Sequence, residues 1–284
     1  MDGWLIIDKP AGITSHDVVA FARRRLKNPK IGHTGTLDPL ATGVLVLGVG
    51  SATRLIEYIV GCDKEYEAEI TFGGRSNTGD SEGEIIPTLN SPVFAREDLE
   101  KILPKYLGKI SQIPPQYSAI KIGGKNAYEL AREGIEIEMQ PREIEIHALK
   151  LISFKYPKVD LHIHCGSGTY IRSIARDLGE DLLAGGYLTR LKRMRVGKFN
   201  IKQAISLKAI AEEKILPLEE GLVFSRINLT IIEAAKIRNG QKIACRGGEV
   251  CEGFIAGFAE GKLLAILEAE KEKHTLKPVK VFLD

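Results

Sequence analysis

Asp38 stands in Gly32-His33-Thr34-Gly35-Thr36-Leu37-Asp38-Pro39-Leu40-Ala41-Thr42-Gly43, a polar, glycine-punctuated loop that runs into the apolar stretch Val44 to Val49. A carboxylate in such a loop can serve as a base or nucleophile, but Asp-Pro is also ordinary turn chemistry, and the loop alone does not separate the two. His162 and His164 share one face of an alternating segment and could offer two metal ligands. No third ligand is in view, so surface or hydrogen-bonded histidines are the simpler reading. Gly166-Ser167-Gly168-Thr169 opens a helix whose first turns carry Arg172 and Arg176, an entry of the kind that binds anions, although one such loop is a weak signal. Cysteines at 62, 165, 245 and 251 are too scattered for a disulfide scaffold in 284 residues and fit a reducing compartment. Cys245 and Cys251 either pair, share a metal or are simply small residues near strands.

These residues need a frame, and hydrophobic periodicity supplies one. Trp4 to Ile7 reads as a strand that ends in the turn Asp8-Lys9-Pro10-Ala11-Gly12. Ser15 reads as the N-cap of a helix with Val18, Val19, Ala22 and Leu26 inside and arginines outside. From Glu65 the chain alternates, which puts Tyr66, Ala68, Ile70 and Phe72 on the inner face of a half-buried strand. Glu97 to Leu107 reads as a helix broken by the prolines of Ile113-Pro114-Pro115-Gln116-Tyr117, and Lys125 to Glu133 as a short one. Glu143 to Phe154 and Val159 to Cys165 return to strand alternation, and Ile171, Ile174, Ala175, Leu178 and Leu182 mark a further helix. After about Leu222 come short strands with the turns Arg238-Asn239-Gly240 and Arg246-Gly247-Gly248, the texture of a small β-barrel, so a domain boundary is expected near residue 222.

With 44% hydrophobic and 27% charged residues, the chain has the material for a sizeable core and a solvated outside. No apolar run is long enough to span a bilayer, and the start Met-Asp-Gly-Trp does not read as a secretion signal, so a cytoplasmic protein is expected. The net charge of +3 conceals its distribution. Five basic residues and no acid lie between Val18 and Leu37, and six basic residues and no acid between Gly186 and Lys202. One such stripe is commonly a solvated face; two point toward a polyanionic partner.

The loop around Asp38 resembles, almost residue for residue, the catalytic motif of the TruB family of tRNA pseudouridine synthases. The resemblance continues along the chain. Lys9-Pro10-Ala11-Gly12-Ile13-Thr14-Ser15 is similar to the family's first motif. Lys64-Glu65-Tyr66 with Gly73, Thr78, Asp80 and Gly83 is similar to its second, and Gly168-Thr169-Tyr170-Ile171-Arg172 with Asp177-Leu178-Gly179 to its third. Tyr187 to Lys198, including Leu191 and Arg193, resembles the segment that closes the catalytic domain, although its pattern is one many helices share. Residues from Ile113 to about 145, with Lys121, Gly124, Tyr128 and Ala131-Arg132, resemble the RNA-gripping insertion of the bacterial form. The C-terminal part resembles a PUA domain more loosely.

The resemblance implies an α+β chain: a pseudouridine synthase fold over residues 1–222, with a mixed, largely antiparallel sheet and flanking helices, then a PUA-like barrel over 223–284. It implies isomerisation of uridine 55 in the T loop of tRNA, by extrusion of the base, cleavage of its N1–C1′ bond and closure of C5 onto C1′. Neither cofactor nor metal is implied. Asp38 is the implied reacting carboxylate, attacking the sugar or promoting glycal formation, and Arg172 its partner, expected to lower its pKa. Tyr66 would stack on the target base; its simpler alternative is a core aromatic. His33 would help displace the target, and Tyr170 and Leu191 would line the uracil pocket. The basic stripes would contact phosphates, and the enzyme would work on tRNA as a monomer without guide RNA. Two competitors are the guide-dependent rRNA relative, which usually has an extension before the first motif and lacks the insertion, and a non-catalytic RNA-folding protein.

Overall fold

The computed structural model describes residues 2–135, 137–245 and 252–282. Its main sheet has the strand order Gly3–Lys9, Thr42–Val49, Gly186–Val196, Lys64–Phe72, Lys158–Cys165, Arg142–Lys155, Gly108–Gln112. Two short strands join the sides: Ile31–His33 pairs with Thr42–Val49, and Phe199–Asn200 with Gly186–Val196. All neighbours are antiparallel except Gly186–Val196 against Thr42–Val49, so the sheet is mixed and largely antiparallel as expected. Gly3–Lys9 and Thr42–Val49 are apolar on successive residues because both faces of the sheet are covered here. Leu5, Ile7, Leu45 and Leu47 pack on one side, under the helices Ser15–Leu26 and Ile171–Asp181. Trp4, Ile6, Val44 and Val46 pack on the other, in a cluster that also takes in Ala256, Phe258, Ile266 and Phe282.

The C-terminal strands form an open five-stranded sheet in the order Ser225–Asn228, Phe254–Ala259, Lys262–Glu270, Thr275–Val281, Ile243–Ala244, with the helix Ile231–Arg238. Among the described residues its two edge strands are not paired with each other. The turn Arg246-Gly247-Gly248 and Cys251 lie outside the described residues. Cys62 and Cys165 are free thiols, whereas Cys245 is disulfide-bonded.

Three elements differ from the sequence reading. Thr14, not Ser15, caps the first helix, in a reciprocal box with Asp17. The helix expected over Glu97 to Leu107 is α-helical only over Arg96–Ile102 and tightens to 3₁₀ over Leu103–Tyr106, where Pro104 has no N–H to continue the ladder. Gly186–Val196, whose pattern many helices share, is a central strand: Arg190, Lys192 and Arg195 stand opposite Glu69, Glu67 and Glu65, and Arg193 opposite the inward Tyr66.

Candidate active site

The Asp38 loop lies between the strands Ile31–His33 and Thr42–Val49 and is fastened from three sides. Lys9, fully buried, donates from Nζ to the carbonyls of Pro10 at 2.9 Å, Ile13 at 2.7 Å and Pro39 at 3.2 Å. Ser15, released from capping, uses Oγ both ways: it donates to the Leu37 carbonyl at 3.0 Å and accepts from the Leu37 N–H at 2.8 Å. Arg193, 2% exposed, donates to the carbonyls of Val44, Thr36 and Gly35. Burial lowers the Lys9 pKa to about 8 while the negative charge of Asp38 opposes the shift. The loop is thereby held at its backbone, immediately around the carboxylate.

Asp38 meets Arg172, from the first turn of Ile171–Asp181, by two contacts: Nε to Oδ2 at 3.0 Å and Nη2 to Oδ1 at 3.3 Å. Arg172 also donates to the Thr78 carbonyl from Nη1 and the Tyr117 carbonyl from Nη2, both at 2.9 Å, and lies 3.8 Å from the buried Asp80. One planar guanidinium thus joins the aspartate loop, the segment after Lys64–Phe72 and the segment around Tyr117, a geometry a lysine cannot reproduce. Asp80 is itself fixed by the Thr78 hydroxyl at 2.7 Å and the Glu82 N–H at 3.1 Å. Gly79 has φ +79°, and a Cβ there would lie 3.2 Å from that of Arg172, so glycine lets the loop close onto the arginine. Asp38 keeps 35% of its side chain open, against 7% for Arg172.

The expected lowering of the Asp38 pKa does not occur. Desolvation raises it above its ordinary 3.8, Arg172 pulls against the rise, and Asp80 adds to it. The ion pair orients the carboxylate, while its partial burial leaves it more basic than a surface aspartate.

Tyr66 is inward-facing and buried, on the same strand face as Ala68, and directly opposite Arg193 in the ladder; Leu191 is opposite Ala68. Burial raises the pKa of Tyr66 and that of Tyr170, and the charge of Asp38 acts on both. Tyr170 caps its helix, its N–H donating to Gln112 Oε1 at 2.9 Å and its carbonyl accepting from Gln112 Nε2 at 3.1 Å. His33 closes the strand before the loop; its Nδ1 accepts the Gly35 N–H at 3.3 Å, and burial lowers its pKa. Neither Gln112, the one buried residue of the otherwise largely exposed strand Gly108–Gln112, nor Asp80 stands out as a site residue in the sequence.

The second basic stripe is largely engaged within the protein. Arg193 is buried, Arg195 pairs with Glu65 at 2.8 Å, Arg190 with Asp160 at 2.6 Å, and Lys198 donates to the Leu222 carbonyl. Arg193 in particular is no phosphate contact. In the first stripe Arg23 and Arg25 reach backbone carbonyls, while Arg24 and Lys27 project into solvent. His164 groups not with His162 but with Asp63 and His147, whose ligand atoms lie within 4.8 Å of one another. Arg195 Nη2 lies 3.1 Å from His164 Nε2, so a guanidinium already occupies that ring nitrogen.

The fold is that of the pseudouridine synthases. The chain aligns over 99% of its length, with a TM-score of 0.75 and 22% identity, to 85% of a chain from the structure of an H/ACA RNP bound to a substrate RNA containing 2′-deoxyuridine. A chain of the archaeal box H/ACA sRNP Nop10–Cbf5 complex gives 0.73 at 21% identity, over 99% and 86% of the two chains. Sequence is more specific than shape. Residues 23–171 match the N-terminal domain of the TruB family pseudouridylate synthases. The tRNA pseudouridine synthase B of Thermobifida fusca (strain YX) is 41% identical over 99% of this chain and 98% of its own. That of Mycobacterium tuberculosis (strain ATCC 25618 / H37Rv) is 40% identical over 94% and 92%. The chain belongs to the TruB family of pseudouridylate synthases.

Proposed function

We propose that this protein isomerises uridine 55 in the T loop of tRNA to pseudouridine. The observation that carries the reading is the Asp38–Arg172 pair: an oriented, desolvated carboxylate at an open cleft, flanked by Tyr66 and Tyr170. The reaction needs a carboxylate beside ribose C1′, a flipped base held out of water and no external group, and the side chains supply those elements. Arg172 orients Asp38, Tyr66 stacks on the uracil, His33 fills the vacated stack, and Tyr170 and Leu191 line the base pocket. Extrusion of a base costs a few kcal/mol, which the stacking and pocket contacts offset.

The reading extends to organisation. Residues 1–222 form the catalytic domain, with the insertion of about 113–145 gripping the RNA, and 223–284 a PUA-like RNA-binding domain; the enzyme is a cytoplasmic monomer. Relatives near 41% identity over nearly the whole chain carry the name tRNA pseudouridine synthase B, whereas the likeness to the guide-dependent assemblies is at 22%. This favours a stand-alone tRNA enzyme. No helix is long and apolar enough to cross a membrane among the described residues. The test is incubation of the purified protein with an unmodified tRNA transcript, without guide RNA, followed by base-resolved mapping of pseudouridine. Conversion confined to position 55 is expected; tRNA bound without conversion would favour the guide-dependent or RNA-folding alternative.

A further inference from the structure

Asp63, His147 and His164 converge on the face of the main sheet opposite to that of Tyr66. Glu65, adjacent to Tyr66 and therefore on the outer face, stands across the ladder from both His164 and Arg195. A β-bulge between Ile146 and Ala148 leaves His147 without a ladder partner and sets its ring 4.7 Å, centre to centre, from that of His164. Asp63, immediately before the strand Lys64–Phe72, faces both rings: its Oδ2 lies 3.4 Å from His147 Nε2 and 3.5 Å from His164 Nε2.

Both distances exceed the ~2.7–3.2 Å of an N–H···O hydrogen bond. They match the edges of a coordination tetrahedron instead, since bonds of ~2.0–2.2 Å to imidazole nitrogen and carboxylate oxygen place neighbouring ligand atoms about 3.4 Å apart. All three ligand atoms lie within 4.8 Å of one another, a spread that small side-chain rotations close. On its other side His147 Nδ1 lies 4.0 Å from Glu145 Oε1, where ligating imidazoles commonly find a carboxylate.

Arg195 is the competitor. Its Nη2 lies 3.1 Å from His164 Nε2 and takes the lone pair that a metal needs. It does not depend on that contact, because Nε and Nη2 hold Glu65 at 2.9 and 2.8 Å and Nη1 donates to the Gly197 carbonyl at 2.7 Å. A metal can take the ring nitrogen while Arg195 keeps its other partners and Glu65 still balances its charge.

We propose that Asp63, His147 and His164 form a binding site for a divalent transition ion of the zinc class, with water on the open side and Arg195 competing for His164 Nε2. Two imidazoles and one carboxylate suit such an ion better than magnesium or calcium. The bound ion fastens the start of the strand that carries Tyr66 to the two strands beyond it, Lys158–Cys165 and Arg142–Lys155. The site is separate from the reaction at Asp38.

The test is Zn²⁺ titration of the purified full chain by competition with a chromophoric chelator, together with the visible spectrum of the Co²⁺-loaded protein. One equivalent should bind, with the bands of tetrahedral Co²⁺ and no thiolate charge-transfer band. Asp63→Asn, His147→Ala and His164→Ala should each weaken binding by at least about tenfold. Asp63→Asn preserves shape, so its effect is not one of misfolding. His162→Ala and Cys62→Ser should stay within about twofold, because His162 faces Glu65 at 3.7 Å and the Cys62 thiol donates to the Tyr58 carbonyl. Arg195→Met should tighten binding by about threefold or more, as it removes both the competitor and a nearby positive charge. No stoichiometric binding, binding that survives the loss of either ligating histidine, a thiolate band, or an affinity in Arg195→Met no higher than the parent's would each overturn the proposal. Metal binding is read without turnover, so failure to convert a transcript would leave this test intact.

Discussion

Arg172 grips both carboxylate oxygens of Asp38, at 3.0 and 3.3 Å, while its other N–H groups hold the Thr78 and Tyr117 carbonyls. Orientation and desolvation are therefore supplied by different parts of the site. Asp38→Asn should reduce turnover by at least about 10³-fold and leave tRNA affinity within about threefold, measured by single-turnover conversion and filter binding. Arg172→Lys keeps the charge but loses the fork and should cost about 10²-fold in rate.

The acid limb of the pH–rate profile follows from the raised Asp38 pKa. The carboxylate must be ionised to act, so activity is lost as pH falls through a value above 3.8. Arg172→Met removes the main interaction opposing the rise, and its residual activity should be lost at still higher pH. A limb at or below 3.8 in the parent protein would contradict the desolvated site.

Lys9 gives a basic-side signature in stability. Its folded pKa is about 8 against an ordinary 10.5, so between those values the unfolded chain binds more protons and the contribution to stability rises with pH. The difference in unfolding free energy between the protein and Lys9→Met should therefore shift in favour of the parent from pH 8 to pH 10.5, as measured by urea denaturation.

Ser15→Ala removes both bonds to Leu37 and leaves a buried N–H without its acceptor. A destabilisation of about 1–3 kcal/mol is expected. Turnover should fall while tRNA affinity is held, because the loop next to Asp38 loosens and the RNA-facing surface is unchanged.

Binding of tRNA should weaken steeply with salt. Substitution of the exposed Arg24 or Lys27 by Ala should each reduce the slope of log affinity against log salt by about one if the side chain meets a phosphate. The buried Arg193 should leave that slope unchanged on substitution, which separates surface contacts from internal arginines in the same assay.

Local pattern determined much of this protein. Alternation from Glu65 set Tyr66 inward because a half-buried strand admits only one inner face, and the spacing of Val18, Val19, Ala22 and Leu26 set the buried side of the first helix. The length of the motif around Asp38 carried the family. Long-range contacts were decided only by tertiary structure. Ser15 and Thr14 are both competent caps, and only the arrival of Leu37 draws Ser15 away. Arg193 and Arg190 belong to one basic stripe in sequence; strand alternation buries the first against the Asp38 loop and turns the second outward to Asp160. The sign of the Asp38 shift was likewise beyond sequence. Arg172 alone predicts a fall, but desolvation depends on every element packed around the cleft, and here it exceeds the attraction of one neighbouring charge.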